Sequence, residues 1–260
     1  MQCMYHKITA SQHKKYFGLP KNYRVDACIV YGAYSRRAYQ KLFLKNLKKF
    51  GTVKIERLSH DFLADILSLN INGKRIWFMV EYGGAKLCEF LHLGSLFGSR
   101  ANILIGTCGG LQKASSEFSV IVPSASYSTE SSAHMYDRAA KNNLFVSNSN
   151  LSKNIFRDLR ANDIQTITGE TVTCQAMLAE TWSDVIGWSR RGFLGVEMEA
   201  ATVFAVSKQL RVPSAAILQI ADNLIAKETV DSESYLKKRK KLKKMKIVFF
   251  KVAIEQILKK

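Results

Sequence analysis

Phe193-Leu-Gly-Val-Glu-Met-Glu-Ala-Ala201 leads, one helix-spaced stretch later, into Pro213-Ser-Ala-Ala-Ile-Leu-Gln-Ile-Ala-Asp222. The first four residues form a short apolar run, Glu199–Leu210 carries helical spacing, and Pro213–Ile220 is an uncharged run of strand length. Strand, helix and strand in such close succession are the unit from which sheets covered by helices are built. Glu197 and Glu199, separated by Met198, stand where the first strand meets the helix, and Asp222 stands where the second strand surfaces.

Working outward, the same alternation recurs. Ala27–Tyr31 reads as a strand, and Arg36–Phe50 as a helix stopped by Gly51. Val53–Leu58 and Asp65–Asn70 read as strands, and Asn72-Gly73 is a hairpin turn into the strand Arg75–Val80. Gly83-Gly84 precedes a helix over Lys86–Ser99, followed by strands at Asn102–Gly106 and Phe118–Pro123. Residues 124–150 are polar and read as an irregular excursion, a loop over a site. A helix near Ser152–Asn162, a strand at Asp163–Thr168, a loop at Gly169–Gln175 and a helix over Ala176–Arg190 lead back to Phe193, and a long basic amphipathic helix closes the chain. No repeat and no linker rich in Pro, Gly or Ser interrupts the pattern. The expectation is one domain over residues 1–260, a three-layer α/β/α fold around a central mixed, mostly parallel sheet.

At 260 residues, 47% hydrophobic and 23% charged, the chain has the composition of a soluble globular protein with a sizeable core. Its apolar runs are strand-sized, and the N-terminal residues lack the apolar core of a secretory signal, so a cytoplasmic location is expected and no membrane association. The five cysteines are scattered without metal-ligand spacing, which points away from a disulfide framework or a zinc site; Cys28 and Cys108 read as small buried hydrophobes. Lys and Arg number 39 against 21 Asp and Glu, a net charge of +18, with a block at Lys237-Lys-Arg-Lys-Lys-Leu-Lys-Lys-Met-Lys246. Such a block can hold a polyanion, or it is a solvated helix face. No aromatic residue interleaves it to stack on bases, and a nucleic-acid partner is not expected.

Four strand ends carry the chemistry. Gly32, just past a strand, with Arg36 opening a helix, is a place where backbone N–H groups and a guanidinium could hold an anion, though a glycine ending a strand is also an ordinary turn. Ile105-Gly-Thr107-Cys108-Gly109-Gly110 is a second strand running into a glycine-rich turn, either a tight bend or a surface for a planar base or an oxyanion. At Glu197-Met-Glu199, a carboxylate offers acceptor oxygens to a vicinal diol and a thioether can lie on the apolar face of a sugar. Glu199 is expected to reach a ligand, while Glu197 lines the pocket or makes a structural bond. Asp222, after an uncharged run and beside Asn223, could cap the next segment or, partly buried, donate a proton.

The order Gly32/Arg36, Gly106-Thr-Cys-Gly-Gly, Val-Glu-Met-Glu-Ala and a strand-end Asp222 resembles the nucleoside phosphorylase and nucleosidase superfamily, of the uridine phosphorylase and hexameric purine nucleoside phosphorylase type. The likeness extends over nearly the whole chain, including Tyr5-His6, Asn72-Gly-Lys-Arg-Ile and Ser131-Ser-Ala-His-Met-Tyr136. The resemblance implies cleavage of a ribonucleoside, purine favoured, by phosphate to free base and ribose 1-phosphate, with no metal or organic cofactor and phosphate as co-substrate. It implies that Glu199 and Met198 hold the ribose, that Gly32, Arg36 and Thr107 hold phosphate, and that Cys108, Gly109, Gln175 and Glu197 surround the base. Asp222 is then the catalytic acid for a purine N7. His6 matches a histidine lent across a dimer interface, which implies a homo-oligomer, a dimer or hexamer.

The departures are specific. Family phosphorylases read Gly-Asp-Pro where this chain has Gly32-Ala-Tyr, and carry an arginine where it has Leu104. Hydrolytic nucleosidases of the same fold lack that arginine too, but also lack the one matched by Arg36. Uracil-specific members pair a glutamine with an arginine, whereas Gln175 has no such partner. The alternatives are therefore a nucleosidase using water, a uridine phosphorylase, or a non-catalytic nucleoside- or polyanion-binding protein.

Overall fold

A computed structural model describes residues 8–115, 118–227 and 233–259, without the side chains of residues 48 and 233–240. After a short helix α1 (Ala10–Tyr16), the chain forms β1 (Ala27–Gly32), α2 (Arg36–Leu47), β2 (Val53–Arg57), β3 (Leu67–Ile71), β4 (Lys74–Glu81) and α3 (Ala85–Leu96). It continues through β5 (Asn102–Gly110), β6 (Val120–Tyr127), α4 (Ser131–Tyr136), β7 (Leu144–Val146), α5 (Ser149–Arg160) and β8 (Thr166–Thr173). The last elements are α6 (Trp182–Arg190), β9 (Gly195–Glu197), α7 (Ala200–Gln209), β10 (Ser214–Asn223) and α8 (Glu233–Leu258).

The strands form one mixed sheet in the order β10-β6-β8-β9-β5-β1-β4-β3-β2, with β7 on β6. Because β5 also pairs with β10, the strands β5, β10, β6, β8 and β9 close on themselves. Parallel pairs (β1 with β4 and β5, β5 with β10, β6 with β8, β8 with β9) are matched by as many antiparallel ones.

Side chains alternate across this sheet with a period of two. On β1, Cys28 and Val30 face a core filled by Leu87, Phe90 and Leu91 of α3 and Val203 and Phe204 of α7. Ala27, Ile29 and Tyr31 face the opposite core, filled by Phe43 of α2, Ile155 of α5 and Phe249 and Phe250 of α8. Burial on both faces explains why β1 reads as a continuous apolar run. The α/β architecture with helices on two faces of a mixed sheet is as expected, but parallel pairs do not predominate, because the hairpin-linked β2, β3 and β4 and the pairings of β10 with β6, β7 with β6 and β9 with β5 are antiparallel. The Asn72-Gly73 turn has φ of 51° and 79°, the positive pair of a type I′ hairpin.

Several boundaries differ from expectation. β5 runs straight through the glycines to Gly110, β6 extends to Tyr127 and β8 to Thr173. The stretch 124–150 holds the end of β6, α4 and β7, and only Trp182–Arg190 of the expected 176–190 helix is α-helical, after a 3-10 turn at Met177–Ala179. The basic block is not uniformly solvated: Lys243 and Lys244 are exposed, but Lys246 is buried, its Nζ 3.2 Å from the Tyr39 hydroxyl. No helix among the described residues is long and apolar enough to cross a membrane.

Candidate active site

The site is built where β1, β4, β5, β9 and β10 end. Gly32, the last residue of β1, pairs in register with Glu81, the last of β4, and Gly83 follows two residues later. Glu199 is the N-cap residue of α7, and its carboxylate reaches across to accept a 2.8 Å hydrogen bond from Gly83 N–H. The other carboxylate oxygen lies directly against Gly32, where any β-carbon would run into it. Glycine at 32 is therefore a space requirement rather than only a turn. Burial and the charge of Glu197 raise the Glu199 pKa above that of an ordinary carboxylate.

Glu197 makes the structural bond. One oxygen accepts from the N–H groups of Glu199 at 2.7 Å and Ala200 at 2.6 Å, the other from the hydroxyls of Thr173 and Ser126. It thus satisfies the first amides of α7, where the helix dipole favours an anion. A chain of hydroxyls from Thr171 through Ser126 to Thr173 supports it, and Thr173 also accepts from Ala201 N–H. Both carboxylate oxygens of Glu197 are engaged at the start of α7. Met198 is buried between the two acids.

Across the sheet, Gly109 is flanked in register by Val196 of β9 and by Asp222 of β10, where a bulge separates Ile220 from Asp222. Asp222 is 7% exposed, one residue before the end of β10, and Asn223 beside it caps the next turn, accepting from Ala226 N–H. Cys108 is buried, and burial with the charges of Glu197 and Asp222 holds its thiol protonated, well above the usual range. Thr107 is half-buried one residue before it.

Arg36 opens α2 as expected, yet its guanidinium is already paired. It makes ion pairs with Asp65 and, at 3.5 Å, with Glu81, and Asp65 is also bound by Lys86 at 2.5 Å. Burial raises the Glu81 pKa, against the pull of the Arg36 and Lys86 charges and with a push from Asp65. Leu104 is fully buried in the core, so position 104 brings no cation to the strand ends. Gln175 donates to Ser132 at 3.0 Å and packs beside Gly84 with Thr202, next to Gly83, whose N–H binds Glu199. His6, with Tyr5, lies outside the described residues.

The structure adds residues that the sequence did not single out. Glu180 hydrogen-bonds the Cys174 thiol, and burial followed by the charge of Asp222 pushes its pKa up to about 7. Tyr34 and Tyr82 meet edge to face at the rim, 6.4 Å between ring centroids, and the Tyr82 hydroxyl is 3.9 Å from the Met177 sulfur. Glu81 had a readable signal, an acid closing an uncharged run, the same one that marks Asp222. Thr173 and Ser126 had none, since an isolated hydroxyl in a polar stretch looks like any loop residue.

The family model described as the phosphorylase superfamily matches residues 82–253, which include Glu197–Glu199 and Asp222. The chain belongs to the phosphorylase superfamily. Its membership agrees with the nucleoside phosphorylase resemblance carried by the Val-Glu-Met-Glu-Ala stretch. Among solved structures it is similar to uridine phosphorylase from Vibrio fischeri ES114, with a TM-score of 0.72 and 18% identity over 91% of this chain and 95% of that one. The same enzyme complexed with 6-hydroxy-1-naphthoic acid matches with a TM-score of 0.72 and 17% identity, over 93% and 95%. At these identities the likeness is one of fold. Gly32 and Arg36 precede the family-matched span. Among the described residues, no group of three or more His, Cys, Asp or Glu side chains is placed to hold a metal ion.

Proposed function

We propose that this chain cleaves the N-glycosidic bond of a ribonucleoside, with purine the favoured base, using phosphate and releasing free base and ribose 1-phosphate. The observation that carries the reading is the Glu199 carboxylate wedged between Gly32 and Gly83, with Asp222 at the neighbouring strand ends beside Gly109. The Glu199 oxygens take the 2′ and 3′ hydroxyls, and Met198 lies against the sugar. Cys108 and Gly109 lie along the base.

As the C1′–N9 bond breaks, its electron pair moves into the purine. Protonated Asp222 delivers its proton to N7 and is left as the carboxylate, so the base departs neutral. A phosphate oxygen, held near Gly32, Arg36 and Thr107, then bonds to C1′ of the oxocarbenium-like sugar. A pyrimidine has no N7, which is why a buried Asp222 supports a purine. A homo-oligomer, with His6 of one subunit at the sugar 5′ end of another, belongs to the same reading.

The test is base release from inosine, adenosine, guanosine and uridine by the protein and by Asp222→Asn. Phosphate-dependent release from the purines, reduced by about 10²–10⁴ in the variant, is the expected result. Equal loss on uridine and the purines would remove the N7 role. A second reading, hydrolysis by water, is favoured by the buried Leu104 and by the carboxylates already on Arg36. Its mark is base release at the same rate without phosphate.

A further inference from the structure

We propose that Glu81 is a specificity-determining residue that competes with phosphate for Arg36. The inference rests on the phosphate site assigned above to Gly32, Arg36 and Thr107. Glu81 sits on the strand beside Gly32, in register with it, so the two backbones are a strand spacing of about 4.8 Å apart. Its side chain is 7% exposed, and its Oε1 accepts no hydrogen bond from the described residues, yet that oxygen is the one facing the Arg36 guanidinium at 3.5 Å.

A carboxylate so placed holds the position an oxyanion would take next to that arginine. Asp65 binds the same guanidinium from the solvent side, with Lys86 on its far oxygen. The cluster of Arg36, Lys86, Asp65 and Glu81 therefore balances to no net charge with both acids ionised, and no second arginine stands at position 104. An arriving phosphate dianion must displace Glu81 from Arg36 or share the guanidinium with it at short range, and like charges beside a side chain so little exposed repel strongly. Glu81 thereby sets how much phosphate is needed before phosphorolysis outruns attack by water.

The experiment measures binding of inorganic phosphate by calorimetry, and base release over a phosphate series, for the protein, Glu81→Gln and Asp65→Asn. Glu81→Gln keeps the shape of the side chain and removes its charge. It is expected to bind phosphate roughly tenfold more tightly, with a matching fall in the KM for phosphate and little change in kcat or in the KM for nucleoside. Asp65→Asn, at a more exposed position, is expected to shift phosphate affinity in the same direction by less, and serves if Glu81→Gln does not fold. Phosphate affinity unchanged or weakened in the folded variants overturns the role of Glu81, whether or not the protein is a phosphorylase. Tighter phosphate binding in Glu81→Gln alongside base release that ignores phosphate in the unmodified protein supports the role of Glu81 while removing phosphorolysis.

Discussion

At the scale of single residues, the site depends on a close approach. Glu199 can reach its position only because residue 32 has no side chain. Gly32→Ala is expected to displace the Glu199 carboxylate and, with Glu199 in its proposed role of holding the sugar, reduce kcat/KM about 10²-fold, since ångström-scale misplacement of such a group has that effect. Thermal melting should change far less than activity, and equal losses in both would mean that Gly32 serves the fold and not the site. Glu180 offers a separate test. Its pKa of about 7 lies above the ordinary carboxylate value of 4.5, so the folded state holds a proton that the unfolded chain gives up. Its contribution to stability is thus present below pH 4.5 and lost as pH rises through 7. Glu180→Gln should therefore gain in melting temperature relative to the unmodified protein between these limits and keep that gain above pH 7. A difference that is flat with pH would contradict the shift.

At the scale of elements, α7 is positioned by an acid that belongs to the strand before it. Glu197→Ala removes the acceptor for Glu199 N–H and Ala200 N–H and takes the carboxylate acceptor from the buried Ser126 and Thr173 hydroxyls. Denaturant unfolding should show a loss of about 2–4 kcal/mol, a buried cap and its hydrogen-bond partners combined. A loss within 0.5 kcal/mol would contradict the capping role assigned to it.

This network also explains where the sequence misled. The elements that follow simple apolar periodicity, such as β1, α2, the Asn72-Gly73 hairpin and α7, are placed to within a few residues by pattern alone. The ends of β6 and β8 are not, because Ser126, Thr171 and Thr173 are strand residues whose hydroxyls turn inward to the Glu197 network. Polarity there means a buried polar cluster, yet along the chain it looks like loop. Of the site, Glu199 and Asp222 were readable as acids at strand–helix junctions. For Asp65 and Glu81, the pairing with Arg36 was not readable, since one lies in a turn and the other at the end of β4, and only the fold brings them to α2.

At the scale of the whole molecule, the charge of +18 does not act as one surface. Lys246 is 8% exposed, 4.9 Å from the Tyr39 ring centre, and fastens α8 to the aromatic face of α2 and β1. Lys246→Ala should destabilise the protein by about 1–2 kcal/mol through lost packing and cation–π contact, whereas Lys243→Ala, on the exposed side, should stay within about 0.5 kcal/mol. Equal effects would mean that α8 is held by its apolar residues alone. The remainder of the fold serves to bring five strand ends and the start of α7 together.

The most direct test of the function proposed for these strand ends is free-base release from a purine ribonucleoside, with phosphate titrated from none to saturation. Release should rise with phosphate from a negligible baseline, yield ribose 1-phosphate in equal amount, and be abolished in Glu199→Ala. Release at full rate without phosphate, with free ribose as the second product, would contradict the proposed function.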